Sequence, residues 1–289
     1  MKPASFDYQQ PDTIDEAVDA LANGQGQTTL LAGGQSLIPT MNARLAAPDT
    51  VVDINGLDQL DYVREGNGKV AIGALTRQST AENSEIVAEK CPLLAEALTH
   101  VGHKPIRHRG TIGGNLAHAD PNSELTVVSL VRDAIFEIQS PDGDRTIPAE
   151  DFFIGHMTTD MGPEELLTEV RFPVWPDGYG WAFEEMAPRK GDYAIAGVAA
   201  MLEIENGVCT DGRLGYTAVS DRPLRVPEAE EALIDQPPTE DTFVGVGETA
   251  RTQIDPPSDF HGSSGYRKNL VKSLTDRALT RAAEPSEGS

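Results

Sequence analysis

The chain has 289 residues, 39% of them hydrophobic, which is too long for one small domain and enough for two or three cores. Acidic residues outnumber basic ones 46 to 23, for a net charge of −23; such a surface repels a phosphate backbone and argues against nucleic-acid binding. Two cysteines are too few for a disulfide framework or for an iron–sulfur cluster held within the chain.

No apolar window reaches membrane-spanning length. The N-terminus, "MKPASFDYQQPDTIDEAVDAL", lacks the basic start and apolar block of a signal peptide. The expected compartment is therefore the cytoplasm. The acid excess is spread along the chain and resembles the surface of proteins from salt-loaded cytoplasm, where salt screens self-repulsion. An ordinary acidic protein is the alternative. Either way the charge informs on habitat rather than chemistry.

Residues 13–16 form a capping-box pattern, and Ile14, Ala17, Val18 and Leu21 share one helical face that ends at Gly24 and Gly26. "TTLLAGG" reads as a short buried strand entering a glycine turn, with further strands at 50–54 and 69–73. A β–α–β rhythm is thus expected over the first 75 residues. Residues 76–101 read as helical, with Leu93, Leu94, Ala97, Leu98 and Val101 at helical spacing. A glycine-rich, basic loop follows at 102–115, then a helix at 123–131 and strands at 134–138 and 165–172. Prolines and glycines cluster at 173–180 and suggest a boundary. Beyond it, strands at 181–183, 194–205 and 213–219 suggest an antiparallel meander, with Asn206-Gly207 as a tight hairpin turn. Helices are expected at 227–234, 239–250 and 266–283, before a frayed tail. There is no internal repeat, heptad run or low-complexity block.

Two glycine pairs carry the chemistry. "AGGQSLIP" (32–39) follows a strand, and "TIGGN" (111–115) lies further on. Glycine lets a backbone approach a ligand closely and adopt positive φ, so that successive N–H groups can face an anion. Gln35, Ser36, Thr111 and Asn115 would add side-chain donors. Neither a Walker loop nor a dinucleotide fingerprint is present. Each pair alone fits a plain turn; together they fit a two-sided clamp on a diphosphate. On the residues alone both readings stay open.

"LLAGGQSLIPTMNARLAAPDTVVDI", "IRHRGTIGGNLAHADPNSE" and "RKGDYAIAGVAA" resemble the FAD-binding medium subunit of molybdenum hydroxylases, the aerobic carbon monoxide dehydrogenase and xanthine dehydrogenase groups. The resemblance covers almost the whole chain. It implies an α+β fold: a PCMH-type (vanillyl-alcohol oxidase-type) FAD-binding domain of two α/β subdomains, 1–55 and 56–175. A C-terminal domain of the carbon monoxide dehydrogenase flavoprotein type, 176–283, would follow, with a three-stranded antiparallel sheet and helices, leaving 284–289 as tail. It implies that Ala32, Gly33, Gly34, Gln35 and Ser36, together with Thr111, Ile112, Gly113, Gly114 and Asn115, hold the FAD diphosphate. Leu30, Leu31 and Leu37 would line the cofactor. Glu124 would lie near its ribityl or adenosine end, Leu167 would touch it, and Tyr193 would pack near the isoalloxazine ring. Many relatives have a lysine shortly before "RKGDYA"; Glu184 and Glu185 stand there instead, and Lys190 is the nearest basic side chain. No covalent flavin anchor is expected, so FAD would be non-covalent.

Other candidates have two readings each. His100, His103, His108 and His118 suggest a metal, but their spacing matches no zinc motif and loop packing explains them as well. Asp120 and Glu124 suggest acid–base work, or a helix start capped by Ser123 or Asn122. Arg107 and Arg109 would neutralise a diphosphate, face a partner, or be an exposed loop pair. Trp175 and Trp181 are expected to pack the subdomain interface.

The resemblance implies an oxidoreductase subunit with no catalytic side chain and no metal of its own. Molybdopterin would sit on a large partner subunit and 2Fe–2S clusters on a small one, in a dimer of heterotrimers. Electrons would pass from the clusters through FAD to an external acceptor. A stand-alone FAD-dependent oxidoreductase and a non-catalytic flavin-binding module are the alternatives.

Overall fold

Thr13 opens the first helix in the computed structural model, which describes residues 2–24, 26–174 and 177–284. Its hydroxyl accepts from the Glu16 N–H, and the Glu16 carboxylate accepts from the Asp12 N–H at 2.8 Å. The capping box therefore closes one residue earlier than the pattern implies. β1 (Asp7–Gln9) precedes this helix, α1 (Ile14–Asn23), which buries Ala17, Val18 and Leu21. β2 (Thr28–Leu31) and, after α2 (Leu37–Asn42), β3 (Thr50–Asp53) run parallel in the order β1-β3-β2. β1 gives no sequence signal because all three residues are exposed and no apolar alternation marks it.

The expected β–α–β rhythm stops at β3. The strand at 69–73 forms, but in another sheet. β4 (Val63–Gly66) and β5 (Lys69–Gly73) make a hairpin through Asn67 and Gly68, both at positive φ. The helical stretch expected over 76–101 is three helices, α3 (Gln78–Glu82), α4 (Glu85–Lys90) and α5 (Pro92–Leu98). Ser84 caps the second, and Pro92, which has no N–H to donate, starts the third. The five apolar residues expected on the buried face are buried.

The segment expected as a loop at 102–115 is largely helical. It holds α6 (Lys104–Arg107) and the start of α7 (Ile112–His118), so the second glycine pair sits in a helix's first turn. α8 (Glu124–Val131) follows, capped by Ser123. Then come β6 (Ile135–Ser140), β7 (Gly143–Pro148), α9 (Ala149–Phe152), the ribbon of β8 (Phe153–Gly155) and β9 (Thr158–Thr159), and β10 (Leu166–Pro173). The larger sheet is antiparallel, in the order β4-β5-β10-β6-β7.

β11 (Tyr179–Met186), β12 (Ala196–Glu205) and β13 (Val208–Thr217) form the meander. Asn206 and Gly207 turn between the last two at φ 53° and 82°, the signature of a tight primed turn. A two-residue edge strand, β14 (Leu224–Arg225), makes the expected three-stranded sheet four-stranded. α10 (Pro227–Glu231), α11 (Glu240–Gln253) and α12 (Ser264–Ala283) complete the fold. Alternation along the strands divides this sheet between two cores. Ala182, Val198 and Ala200 face Val271, Leu274 and Ala278 of α12, while Phe183, Ala199 and Met201 join the core of the larger sheet. Gly215 brings β13 against Val127 and Val131 of α8. Trp181 packs on that shared core, as expected. Trp175, the 175–176 boundary and residues 285–289 of the tail lie outside the described residues. Among the described residues, no helix is long and apolar enough to cross a membrane.

Phe183 is 1% exposed at this junction. Phe183→Ala is expected to cost about 3–5 kcal/mol of unfolding free energy, read from urea denaturation curves.

Candidate functional site

A cavity of about 750 Å³ lies where the small parallel sheet, α7, α8 and the segment before β12 meet. Both glycine segments line it: Ala32, Gly33, Gly34, Gln35 and Ser36 on one side, Thr111, Gly113, Gly114 and Asn115 on the other. Leu30, Leu37, Glu124, Leu167 and Tyr193 line it too. Two expected residues do not. Leu31 is absent from the lining, and its Cδ1 would lie 3.1 Å from a Cβ on Gly34. Ile112 is fully buried in the core beneath α7.

The two segments touch backbone to backbone. A Cβ on Gly33 would strike the Arg109 carbonyl oxygen and lie 2.8 Å from Gly110 Cα. A Cβ on Gly113 would lie 2.8 Å from Ala74 Cα. Gly34 holds φ +72°, a conformation that glycine adopts without steric cost.

The donor groups are unequally divided. Among the described residues, the N–H groups of Gly33, Gly34, Gln35 and Ser36 reach no acceptor. Four of the second segment's N–H groups are taken: Ile112 by the Thr76 carbonyl, Gly113 by Ala74, Gly114 by the Thr111 hydroxyl and Asn115 by the Thr111 carbonyl. The expectation of facing amides from both sides is corrected here. Forming a helix's first turn against the end of β5 consumes them. That side offers side chains instead. The Ser123 hydroxyl donates to Asn115 Oδ1 at 2.6 Å, which leaves the Asn115 amide hydrogens as donors. Gln35 also departs from expectation, because its amide donates to the Gly33 carbonyl at 3.0 Å and stiffens its own loop.

The charged residues sort by burial. Glu124 is 6% exposed and begins α8. Burial pushes its carboxyl up to about 8, with the neighbouring carboxylates of Glu185 and Asp120 adding to the rise. Asp120 accepts from the Asn122 N–H at 2.9 Å and from the Asn122 amide at 3.0 Å, forming the turn that starts α8. Arg107 is not an exposed loop residue: it is buried, pairs with both Glu82 oxygens at 2.7 and 3.0 Å, and donates to the Val101 and Gly102 carbonyls. Arg109 is exposed. Glu184 is buried and pairs with Arg277 and Arg281, both at 2.6 Å, while Glu185 lies 3.1 Å from His100. Neither lines the cavity, nor does Lys190.

His100 and His108 are apart from the cavity, and His103 and His118 line it. Among the described residues no group of side chains could hold a metal ion. Sequence reasoning missed Gln78, His103, Met161, Glu165 and Asp192 as lining residues. Gly191 was the available signal. It holds φ +87°, and a Cβ there would strike His103 and lie 2.7 Å from the Gly102 carbonyl, so the 191–193 segment is seated at the mouth.

The family model described as the FAD binding domain in molybdopterin dehydrogenase matches residues 4–175. The CO dehydrogenase flavoprotein C-terminal domain matches 181–282. The 6-hydroxypseudooxynicotine dehydrogenase complex subunit alpha of Paenarthrobacter nicotinovorans is 39% identical, covering 98% of this chain and 96% of the relative. A glyceraldehyde dehydrogenase medium chain of Sulfolobus acidocaldarius is also 39% identical, covering 98% and 100%. A structure of carbon monoxide dehydrogenase from Hydrogenophaga pseudoflava, lacking the Mo-pyranopterin moiety of its molybdenum cofactor, superposes with a TM-score of 0.95 at 35% identity, covering 98% of both chains.

Glu124 makes stability fall with pH. Its folded value, about 8, lies above the ordinary 4.5, so the folded state holds the proton more tightly. That contribution is complete below the ordinary value and is lost as pH rises through the folded one. Glu124→Gln, which cannot ionise, is expected to gain stability relative to wild type between about pH 5 and about pH 9. Urea midpoints across that range check it; a constant difference would refute the assignment.

Proposed function

The chain belongs to the family of FAD-binding medium subunits of molybdenum hydroxylases, and we propose that it is the electron-transfer flavoprotein subunit of such a complex. When bound, FAD supplies the redox chemistry, taking electrons from 2Fe–2S clusters on a small subunit and passing them to an external acceptor. A large molybdopterin-carrying subunit would oxidise the substrate, in a cytoplasmic dimer of heterotrimers. The similar carbon monoxide dehydrogenase is itself a molybdenum-cofactor enzyme.

The observation that carries this reading is the set of N–H groups at residues 33–36 that reach no acceptor among the described residues, on a segment lining a cavity inside the matched FAD-binding domain. Such amides suit a diphosphate, whose oxygens accept hydrogen bonds. The residues present therefore fit the cofactor. Gly33 to Ser36 would bind the diphosphate, and Asn115 would add its amide. Gly113 and Gly114 would let the wall approach. Leu30, Leu37 and Leu167 would exclude water, Glu124 would offer its carboxyl O–H, and Tyr193 would cover the mouth. We infer that FAD is bound non-covalently. A stand-alone oxidoreductase would need a cap over the cavity. Past residue 176, among the described residues, only Gly191, Asp192 and Tyr193 reach it.

Two measurements follow. Titrating the apo-chain with FAD, followed by absorbance, is expected to show binding that Gly33→Val or Gly114→Val weakens by at least about tenfold. Unchanged affinity would sink the clamp. The second measurement concerns salt. Asp120, Glu124, Glu165 and Asp192 line the cavity, and among the described residues no lysine or arginine does. An anionic diphosphate entering this chain, at net charge −23, is repelled at long range. Raising salt from about 0.1 M to about 1 M shortens the screening length from roughly 10 Å to roughly 3 Å. FAD affinity is therefore expected to tighten with potassium chloride, which accords with a salt-rich habitat. Loosening would show that a cation dominates the site.

A further inference from the structure

Four side chains, none of which lines the cavity, form one chain of hydrogen bonds between the two glycine segments. The Tyr8 O–H donates to Asp53 Oδ2 at 2.6 Å. Asp53 Oδ1 accepts from the Asn55 N–H at 3.0 Å and from the Asn55 amide at 2.6 Å. The same amide donates to the Ala32 carbonyl at 2.7 Å and more weakly to Leu31 at 3.3 Å. Arg77 Nη2 donates to Asn55 Oδ1 at 2.8 Å, and Arg77 Nη1 donates to the Arg109 carbonyl at 2.7 Å.

The two carbonyls gripped at the ends are not arbitrary. Ala32 precedes Gly33 and Arg109 precedes Gly110, and these are the peptides that abut where the segments meet. Arg77 is tied to the second segment a second time, through a backbone bridge with Thr111. In a trans peptide the C=O and N–H point in opposite directions. Holding the Ala32 carbonyl on Asn55 therefore turns the Gly33 N–H away from Asn55.

We propose that Asn55 and Arg77 are positioning residues, a brace that orients the Gly33 N–H and fixes the spacing of the two segments, and so sets how tightly the chain holds FAD. This rests on the cavity being the FAD site. No member of the brace lines the cavity. Both side chains are half-buried, and each bond ends on a main-chain group or on another member of the network, so loss of one member slackens both segments together.

The test is FAD binding by the full-length apo-chain, read by absorbance titration and by the visible circular dichroism of the bound flavin. Arg77→Met and Asn55→Ala are each expected to weaken binding by roughly tenfold and to alter the dichroism. The double variant is expected to lose less than the product, because both act through one path. Arg77→Lys should recover part of the affinity. Arg225→Met breaks a pair with Glu230 in the C-terminal half; it should lower thermal stability and leave FAD affinity unchanged. Should Asn55→Ala fail to fold, Arg77→Met and Tyr8→Phe carry the test, the latter with an expected loss of roughly twofold. Wild-type affinity in Arg77→Met and in the foldable partner variant would overturn the brace alone. A wild-type chain that takes up no FAD would overturn the proposed function, and the brace's role with it.

Discussion

The contact between Gly33 and the Arg109–Gly110 backbone is the constraint on which the rest of this structure depends. It leaves no room for a side chain. Two segments far apart in sequence must therefore arrive at one point with main chain exposed to main chain. β2 delivers the first from the parallel sheet, and β3 beside it supplies Asp53 and, just beyond, Asn55. The end of β5 delivers the second. The Ala74 and Thr76 carbonyls accept from Gly113 and Ile112, which seats the first turn of α7. The small sheet and the large one are thus coupled through a junction of peptide groups, and the cavity is the space this junction leaves open.

This arrangement separates two tasks that the sequence pattern suggests are shared. One segment keeps its N–H groups free; the other spends four of its five on folding and presents a close wall. The C-terminal half contributes through position. Phe183, Ala199 and Met201 belong to the same core as α5 and α8, so β12 cannot move independently of the cavity. Buried Arg267 of α12 donates to the Ile195 and Ala218 carbonyls and pairs with Asp259 at 2.7 Å. That fixes the backbone just after Tyr193, whose ring stands 67% exposed at the mouth.

What the sequence makes legible is local. Thr13 and the Asn206–Gly207 turn are read correctly, and Ser123 is one of the two caps expected for α8, because each acts on its own backbone within a few residues. β1 is illegible because its strand carries no buried face. The run at 76–101 misleads because the helical spacing of Leu93 to Val101 holds only beyond Pro92, while Ser84 and Pro92 each start a new helix. The membership of the cavity wall is largely legible from the glycine pairs and the family resemblance. The use of each group is not. Whether an amide is free depends on the Thr76 and Ala74 carbonyls, and whether Arg107 faces outward depends on Glu82, 25 residues away. Leu31 and Ile112 sit within the right motifs and do not line the cavity, since a motif names positions and not the direction of each side chain.

The acidic pair at 184–185 follows from the same division of labour. Glu184 and Glu185 do not line the cavity. Glu184 instead binds Arg277 and Arg281, and Arg281 also reaches Glu96 of α5 and the Phe183 carbonyl. Glu185 meets His100, next to the end of α5. The two carboxylates thereby join α12, β11 and the α5 region into one network across the shared core. These charges serve the junction between the two halves. The cavity is left with N–H donors, a buried carboxyl that holds its proton, and no lining guanidinium or ammonium among the described residues. Amide donors work at hydrogen-bond range and are little affected by salt, whereas repulsion among 46 acidic residues acts at long range and is screened by it. A chain built this way can carry a large acid excess over its surface without weakening the short-range groups that face its ligand.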